Sequence, residues 1–170
     1  MFKFLQPDYY FHSIHDVDID FFKKNNISAV LFDIDNTLEP YATELPSKKT
    51  VELFAELRDN GIAVAVISNN HEPRVKTFCS SLDVPFSFES GKPSSKKILG
   101  VLEELKVDRE NTILVGDQLF TDVWGANNSG INSIFVDRIN SDESFFIRLK
   151  RVIEIPFVKA IKRKGYGKQR

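Results

Sequence analysis

The chain has 170 residues, with 23 Lys and Arg against 24 Asp and Glu and a formal net charge of −1. This total joins an acidic body, residues 1–147 with 14 basic and 23 acidic side chains, to a basic end, residues 148–170, with nine basic side chains and only Glu154 acidic. At 42% hydrophobic and 28% charged, with one cysteine, no Cys/His cluster and no apolar run near the ~18 residues of a spanning helix, the chain is read as a globular, cytoplasmic protein without disulfides or structural zinc.

The first 27 residues read as an N-terminal extension. Pro7 and Asp8 interrupt any signal-peptide core, Tyr9-Tyr10-Phe11 is an apolar cluster expected in the core, and Asp16-Val17-Asp18-Ile19-Asp20 reads as the acidic first turn of a helix. Strand-length apolar runs then alternate with helical patterns. Ala29–Phe32 is followed by a helix capped at Ser47 and ending near Asn60 before Gly61. Ile62–Ile67 precedes a helix over His71–Leu82, with Pro73 in its first turn. Val84–Phe88 precedes a helix over Pro93–Lys106, striped by Ile98, Val101, Leu102 and Leu105. Thr112–Val115 precedes a helix over Leu119–Ser129 closed by Gly130, and Ile131–Val136 is the last run. Near-continuous apolar strands separated by helices predict a doubly wound, mostly parallel α/β sheet covered on both faces, with ligands bound at the carboxyl ends of its strands. Residues 1–147 are read as one domain and 148–170 as a basic tail or helix, in which Pro156 is expected to interrupt any long amphipathic helix.

Four motifs follow the strands. Asp33-Ile34-Asp35-Asn36-Thr37 leaves the first run, and two carboxylates two residues apart at a buried strand end repel one another unless a cation offsets their charge. Mg²⁺ suits such hard oxygen donors. Ser68-Asn69-Asn70 leaves the second run with a hydroxyl and amides that suit phosphate oxygens. Gly91-Lys92-Pro93 offers a cation at a helix start, and Gly116-Asp117-Gln118-Leu119-Phe120-Thr121-Asp122 offers an acid at a strand tip and another a turn later.

In this order the motifs resemble the haloacid dehalogenase-like (HAD) phosphatase superfamily, over about residues 28 to 136. The short intervals after Thr37 and between Val84 and Lys92 leave no room for a cap domain, so the resemblance is to a capless member. Asp35-Asn36-Thr37-Leu38, Ile67-Ser68-Asn69-Asn70 and the leading Phe4-Leu5-Gln6-Pro7 narrow it to YqeG-type phosphatases of HAD subfamily IIIA, related to phosphatidylglycerophosphate phosphatases. The resemblance implies Asp33 as nucleophile, Asp35 as general acid and base, and Lys92 as the cation paired with Asp33 and the phosphate. It implies Mg²⁺ held by Asp33, the backbone carbonyl of Asp35 and Asp117, with Asp122 orienting the site from behind. Thr37, Ser68 and Asn69 would bind substrate.

The expected substrate is phosphatidylglycerophosphate, a lipid phosphate that an open site accepts. The basic segment 148–170, interleaved with Phe145, Phe146, Ile147, Leu149, Val152, Ile153, Phe157, Val158 and Ile161, suits an anionic membrane at the inner face of the cell. It equally suits a final helix packed on the sheet. Three alternatives stay open: a phosphatase of soluble sugar or nucleotide phosphates, a receiver-like domain holding a stable phospho-Asp, and a nucleic-acid-binding module for which no specific binding motif is present.

Overall fold

All six strands run parallel in one sheet: β1 Tyr9–Phe11, β2 Ala29–Phe32, β3 Ala63–Ile67, β4 Phe86–Ser87, β5 Thr112–Gly116 and β6 Asn132–Val136, in the order β1-β6-β5-β2-β3-β4. The structure is a computed structural model and describes residues 2–41, 43–140 and 145–164. The register is in step across the centre: Val30 lies beside Val64 on one flank and Ile113 on the other, and Phe32 beside Val66 and Val115. Side chains alternate faces along a strand. Val30, Phe32, Val64, Val66, Ile113 and Val115 therefore join one apolar cluster, and Leu31, Ala65, Ile67 and Leu114 the other.

Helices α1 Ile19–Lys24, α2 Lys48–Asp59 and α3 Glu72–Cys79 cover the first face through Phe21, Phe22, Phe54, Leu57, Val75 and Phe78. Phe32 and Phe54 stack with centroids 5.0 Å apart, and each such fully buried large side chain contributes ~1.5–3 kcal/mol. Helices α4 Lys96–Leu105 and α5 Trp124–Ser129 cover the second face through Ile98, Val101, Leu102 and Ala126. Ser47 caps α2, its Oγ accepting from Thr50 N at 3.3 Å, and Asp18 caps α1, its carboxylate accepting from Phe21 N at 2.8 Å. Of the acidic run 16–20, Asp18 and Asp20 thus open a helix as expected, while Asp16 closes a preceding 3-10 turn over Ile14–Asp16.

Two elements differ from expectation. Tyr9–Phe11 is not interior but a half-buried edge strand on β6, with Tyr9 and Phe11 packed on one face and Tyr10 on the other. Three residues are too few to show a period, which is why the strand was not legible. Helix α6, Phe145–Lys164, runs through Pro156 rather than stopping there. A mid-helix proline costs ~3 kcal/mol. Burial of Ile161, with Phe157 and Val158 packed on the cluster of Leu5, Leu119, Val123 and Phe135, offsets that cost. Of the basic tail, Lys168 and Arg170 lie outside the described residues, as do the side chains of Lys164, Phe145 and Phe146. No described helix is long and apolar enough to cross a membrane.

Candidate active site

The strand order reverses at β2, which lies between β3 and β5, so the chain segments leaving β2 and β5 emerge side by side. Asp33 N donates to Val115 O at 3.0 Å and extends that pairing one residue beyond β2. Asp33, Asp117 and Asp122 are all buried, and each offers an oxygen such that the three lie within 4.8 Å of one another. Lys92 reaches this group from the loop after β4. Its Nζ donates to Asp33 Oδ1 at 2.8 Å, Asp122 Oδ1 at 2.6 Å and Ile67 O at 2.8 Å, satisfying all three ammonium protons.

The charges set the electrostatics. Burial, together with the like charges of Asp122 and Asp35, raises the Asp33 carboxyl to about 7 although Lys92 opposes the shift. Burial also raises Asp117 well above the ordinary carboxylate range, against the pull of Arg151. Lys92 is raised instead: burial alone would lower it, but the carboxylates of Asp122 and Asp33 outweigh the effect of burial. The lysine is thus a permanent cation, and it is shared between two acids. Three buried carboxylates with oxygen donors converging on one point fit a small divalent cation, and Asp33 and Asp117 are two of the three ligands implied by the sequence. Asp122 stands within the same group rather than behind it, while being tied to Lys92.

Local backbone explains the convergence. After β5 the chain makes a π-helical turn over Leu119–Val123 before α5, where the periodicity suggested a plain α-helix from Leu119. This wide turn brings Asp122 back over the strand end, where its Oδ2 accepts from Gln118 N at 3.0 Å. The Asp122 side chain fills the space that a Cβ at position 116 would need. Gly116→Ala is therefore expected to lower stability by ~1–3 kcal/mol through overpacking. Gly100 in α4 faces open space, so Gly100→Ala should instead be neutral or stabilising by up to ~1 kcal/mol. Urea unfolding of the two variants checks both.

The remaining predicted residues take distinct places. Asp35 lies beside the triad, with its carboxylate bonded to Asn70 Nδ2 at 3.0 Å and Arg74 Nη2 at 3.1 Å. Thr37 Oγ1 donates to Asp117 Oδ1 at 3.3 Å. Ser68 Oγ accepts from Asn70 N at 3.1 Å, and among the described residues its own hydroxyl proton has no acceptor. Asn69 turns to the lysine loop: its Nδ2 donates to Lys92 O at 3.0 Å, and its Oδ1 accepts from Lys92 N at 2.8 Å and Ser90 Oγ at 2.7 Å. The amide of Asn69, expected as a substrate contact, is thus bonded to the loop that carries Lys92.

Three residues at the site were not found from sequence. Arg151 on α6 donates to the carboxylate and the main-chain carbonyl of Asp117 and lies 3.3 Å from Glu154 Oε2. Buried Glu154 accepts from Phe120 N at 3.0 Å, fastening α6 to the π-helical turn. Arg74 pairs with Asp35. The basic density of 148–170 was the one available signal for Arg151, but composition does not tell which cation turns inward.

The chain is similar to known proteins in sequence and in fold. Residues 41–136 match the family model described as haloacid dehalogenase-like hydrolase. The chain is 34% identical over 164 residues to the probable phosphatase YqeG of Bacillus subtilis, covering 96% of this chain and 95% of that protein. It is 24% identical to the chloroplastic/mitochondrial phosphatidylglycerophosphate phosphatase 1 of Arabidopsis thaliana, spanning 96% of this chain but half of that protein. In fold it is similar to the cobalt-bound deoxy-D-mannose-octulosonate 8-phosphate phosphatase YrbI of Haemophilus influenzae, with a TM-score of 0.53 at 16% identity over 78% of this chain and 90% of that one.

Proposed function

The chain belongs to the haloacid dehalogenase-like hydrolase family and is a phosphatase, and we propose that it is a Mg²⁺-dependent phosphomonoesterase that works through an aspartyl-phosphate on Asp33, with phosphatidylglycerophosphate as substrate. The observation that carries the chemistry is the Lys92 ammonium held between Asp33 and Asp122 beside Asp117. Mg²⁺ held by Asp33, Asp117 and the backbone carbonyl of Asp35 would screen the carboxylates from an anionic substrate and stabilise charge on the transferring group.

Asp33 attacks phosphorus while Lys92 keeps it aligned, a P–O bond forms to its carboxylate, and the bond to the leaving oxygen breaks. Asp35, oriented by Asn70 and Arg74, gives its proton to that oxygen. In the second half Asp35 takes a proton from water, which attacks the same phosphorus and returns Asp33 as a carboxylate with release of phosphate. Ser68 donates its hydroxyl proton to a phosphoryl oxygen, and Thr37 steadies Asp117.

The lipid substrate is supported by the likeness to the Arabidopsis enzyme and by an outward stripe of α6. Leu149 and Ile153 are 53% and 56% exposed and lie four residues apart, a spacing that puts them on one face of the helix. Apolar side chains so presented, in a segment rich in cations, suit insertion into an anionic lipid surface. The test is a phosphate-release screen with Mg²⁺ against phosphatidylglycerophosphate in vesicles, its soluble head group, and sugar and nucleotide monophosphates. Preference for the first two is expected, and preference for a sugar or nucleotide phosphate would overturn the substrate while leaving the chemistry in place.

A further inference from the structure

A cavity of about 780 Å³ opens between α6 and the carboxyl end of β6. This is a volume typical of small-ligand sites. One wall reaches Asp117 of the acidic triad, so the cavity adjoins the position where phosphate would be attacked. The opposite wall is a stripe of α6 in which Arg148, Val152, Ile155 and Lys159 recur at intervals of four, three and four residues. That period puts them on one side of a helix. The stripe is separate from the outward face of Leu149 and Ile153.

The cations in this wall differ in how they are used. Arg151 is spent on Asp117 and Glu154, and Lys162 lies 2.7 Å from Asp137 and over the ring of Tyr10. Arg148 and Lys159 are exposed, and among the described residues neither has a carboxylate at ion-pair distance. Arg138 lines the same cavity. Among the described residues the lining thus couples Arg148 and Lys159 to apolar side chains, next to the acidic triad. A guanidinium and an ammonium facing a shared space are suited to an anion, and a guanidinium in particular to a phosphate diester.

We infer that this cavity is a second-anion subsite: Arg148 and Lys159 bind a phosphodiester on the leaving-group side of the substrate, while Val152 and Ile155 pack against its aliphatic part. The inference rests on the phosphomonoesterase reading above and deepens it, because it makes the enzyme select substrates that carry a second phosphate group rather than phosphomonoesters at large. Both residues act in recognition and neither touches the transferring phosphoryl group.

The experiment compares two soluble probes, glycerophosphoglycerophosphate, which carries a phosphodiester and a phosphomonoester, and para-nitrophenyl phosphate, which carries only the latter. The ratio of their kcat/KM values is measured for the wild type, Arg148→Gln/Lys159→Gln, and Lys106→Gln as a control for loss of an exposed charge at the end of α4. The double variant is expected to lower the ratio at least about 10-fold, through KM, with Lys106→Gln leaving it unchanged. Arg148→Glu/Lys159→Glu should lower it further. An unchanged ratio in the double variant, with a wild type that hydrolyses the diester-bearing probe, would overturn the subsite and leave the substrate reading standing. A wild type that hydrolyses para-nitrophenyl phosphate but neither that probe nor the lipid would overturn the substrate reading and the subsite with it.

Discussion

Asp33→Asn is expected to lose at least about 10³-fold in kcat, as removal of a nucleophile does, and at the same time to stabilise the metal-free protein at alkaline pH. Both effects follow from one environment. Burial holds the carboxyl at about 7 in the fold against an ordinary value of 3.8, so folding takes up a proton between those values. Stability contributed by the protonated form is complete below about pH 4 and is lost as pH rises through about 7. Each pH unit in that window corresponds to ~1.4 kcal/mol, so the ionised carboxylate costs the empty site a few kcal/mol. Asparagine is nearly isosteric and never ionises. In chelator, the melting temperature of the variant minus that of the wild type should therefore grow from pH 5 to pH 8. A difference that stays constant across that range would contradict the burial argument, and a variant retaining most of its turnover would remove Asp33 as nucleophile.

Lys92→Met carries the second large effect. The side chain is 1% exposed and neutralises two acids that are 9% and 1% exposed. Methionine fills much of the same volume, but Asp33 and Asp122 are left as buried like charges with no cation between them. Breaking a buried pair from one side costs ~3–5 kcal/mol. For a domain of this size that corresponds to a fall of roughly 6–20 °C in melting temperature. The loss should be larger at pH 8 than at pH 5, because protonation of Asp33 relieves the repulsion. Added Mg²⁺ should restore part of the stability, by replacing the missing positive charge, without restoring activity. Thermal melts with and without Mg²⁺ at the two pH values check each step. A variant as stable as the wild type in chelator at pH 8 would show that Lys92 does not hold the acidic group together.

Much of this was legible in the sequence because strand ends are punctuated chemically. Ala29–Phe32 and Thr112–Val115 are strand-length apolar runs, followed directly or after one glycine by a carboxylate too polar to bury alone, so the order of the motifs implied a shared edge. The caps at Ser47 and Asp18 and the left-handed Gly130 at the end of α5 are local effects that single residues report. What was not legible depends on contacts distant in the chain. The inward turn of Asp122 comes from a π-helical turn that has the same apolar spacing as an α-helix over five residues. The amide of Asn69 bonds to a loop 23 residues away. Arg151 reaches Asp117 from 34 residues downstream, on a helix whose proline argued against its continuity. There, tertiary packing of Phe157, Val158 and Ile161 overrides the local penalty. The charge split visible at the outset acquires a physical meaning only at this point, since one cation of the basic end enters the acidic centre of the body and others line the cavity beside it.

The central claim is that phosphoryl transfer passes through Asp33. Its most direct measurement is an acid quench of the Mg²⁺-loaded protein during turnover of a radiolabelled phosphomonoester, followed by peptide mapping. The account predicts label bound to the protein through an acyl-phosphate that hydroxylamine cleaves, located on the peptide containing Asp33 and absent in Asp33→Asn. Label on another residue would contradict it, as would turnover without any covalent phosphate when the quench is shown to preserve an acyl-phosphate standard.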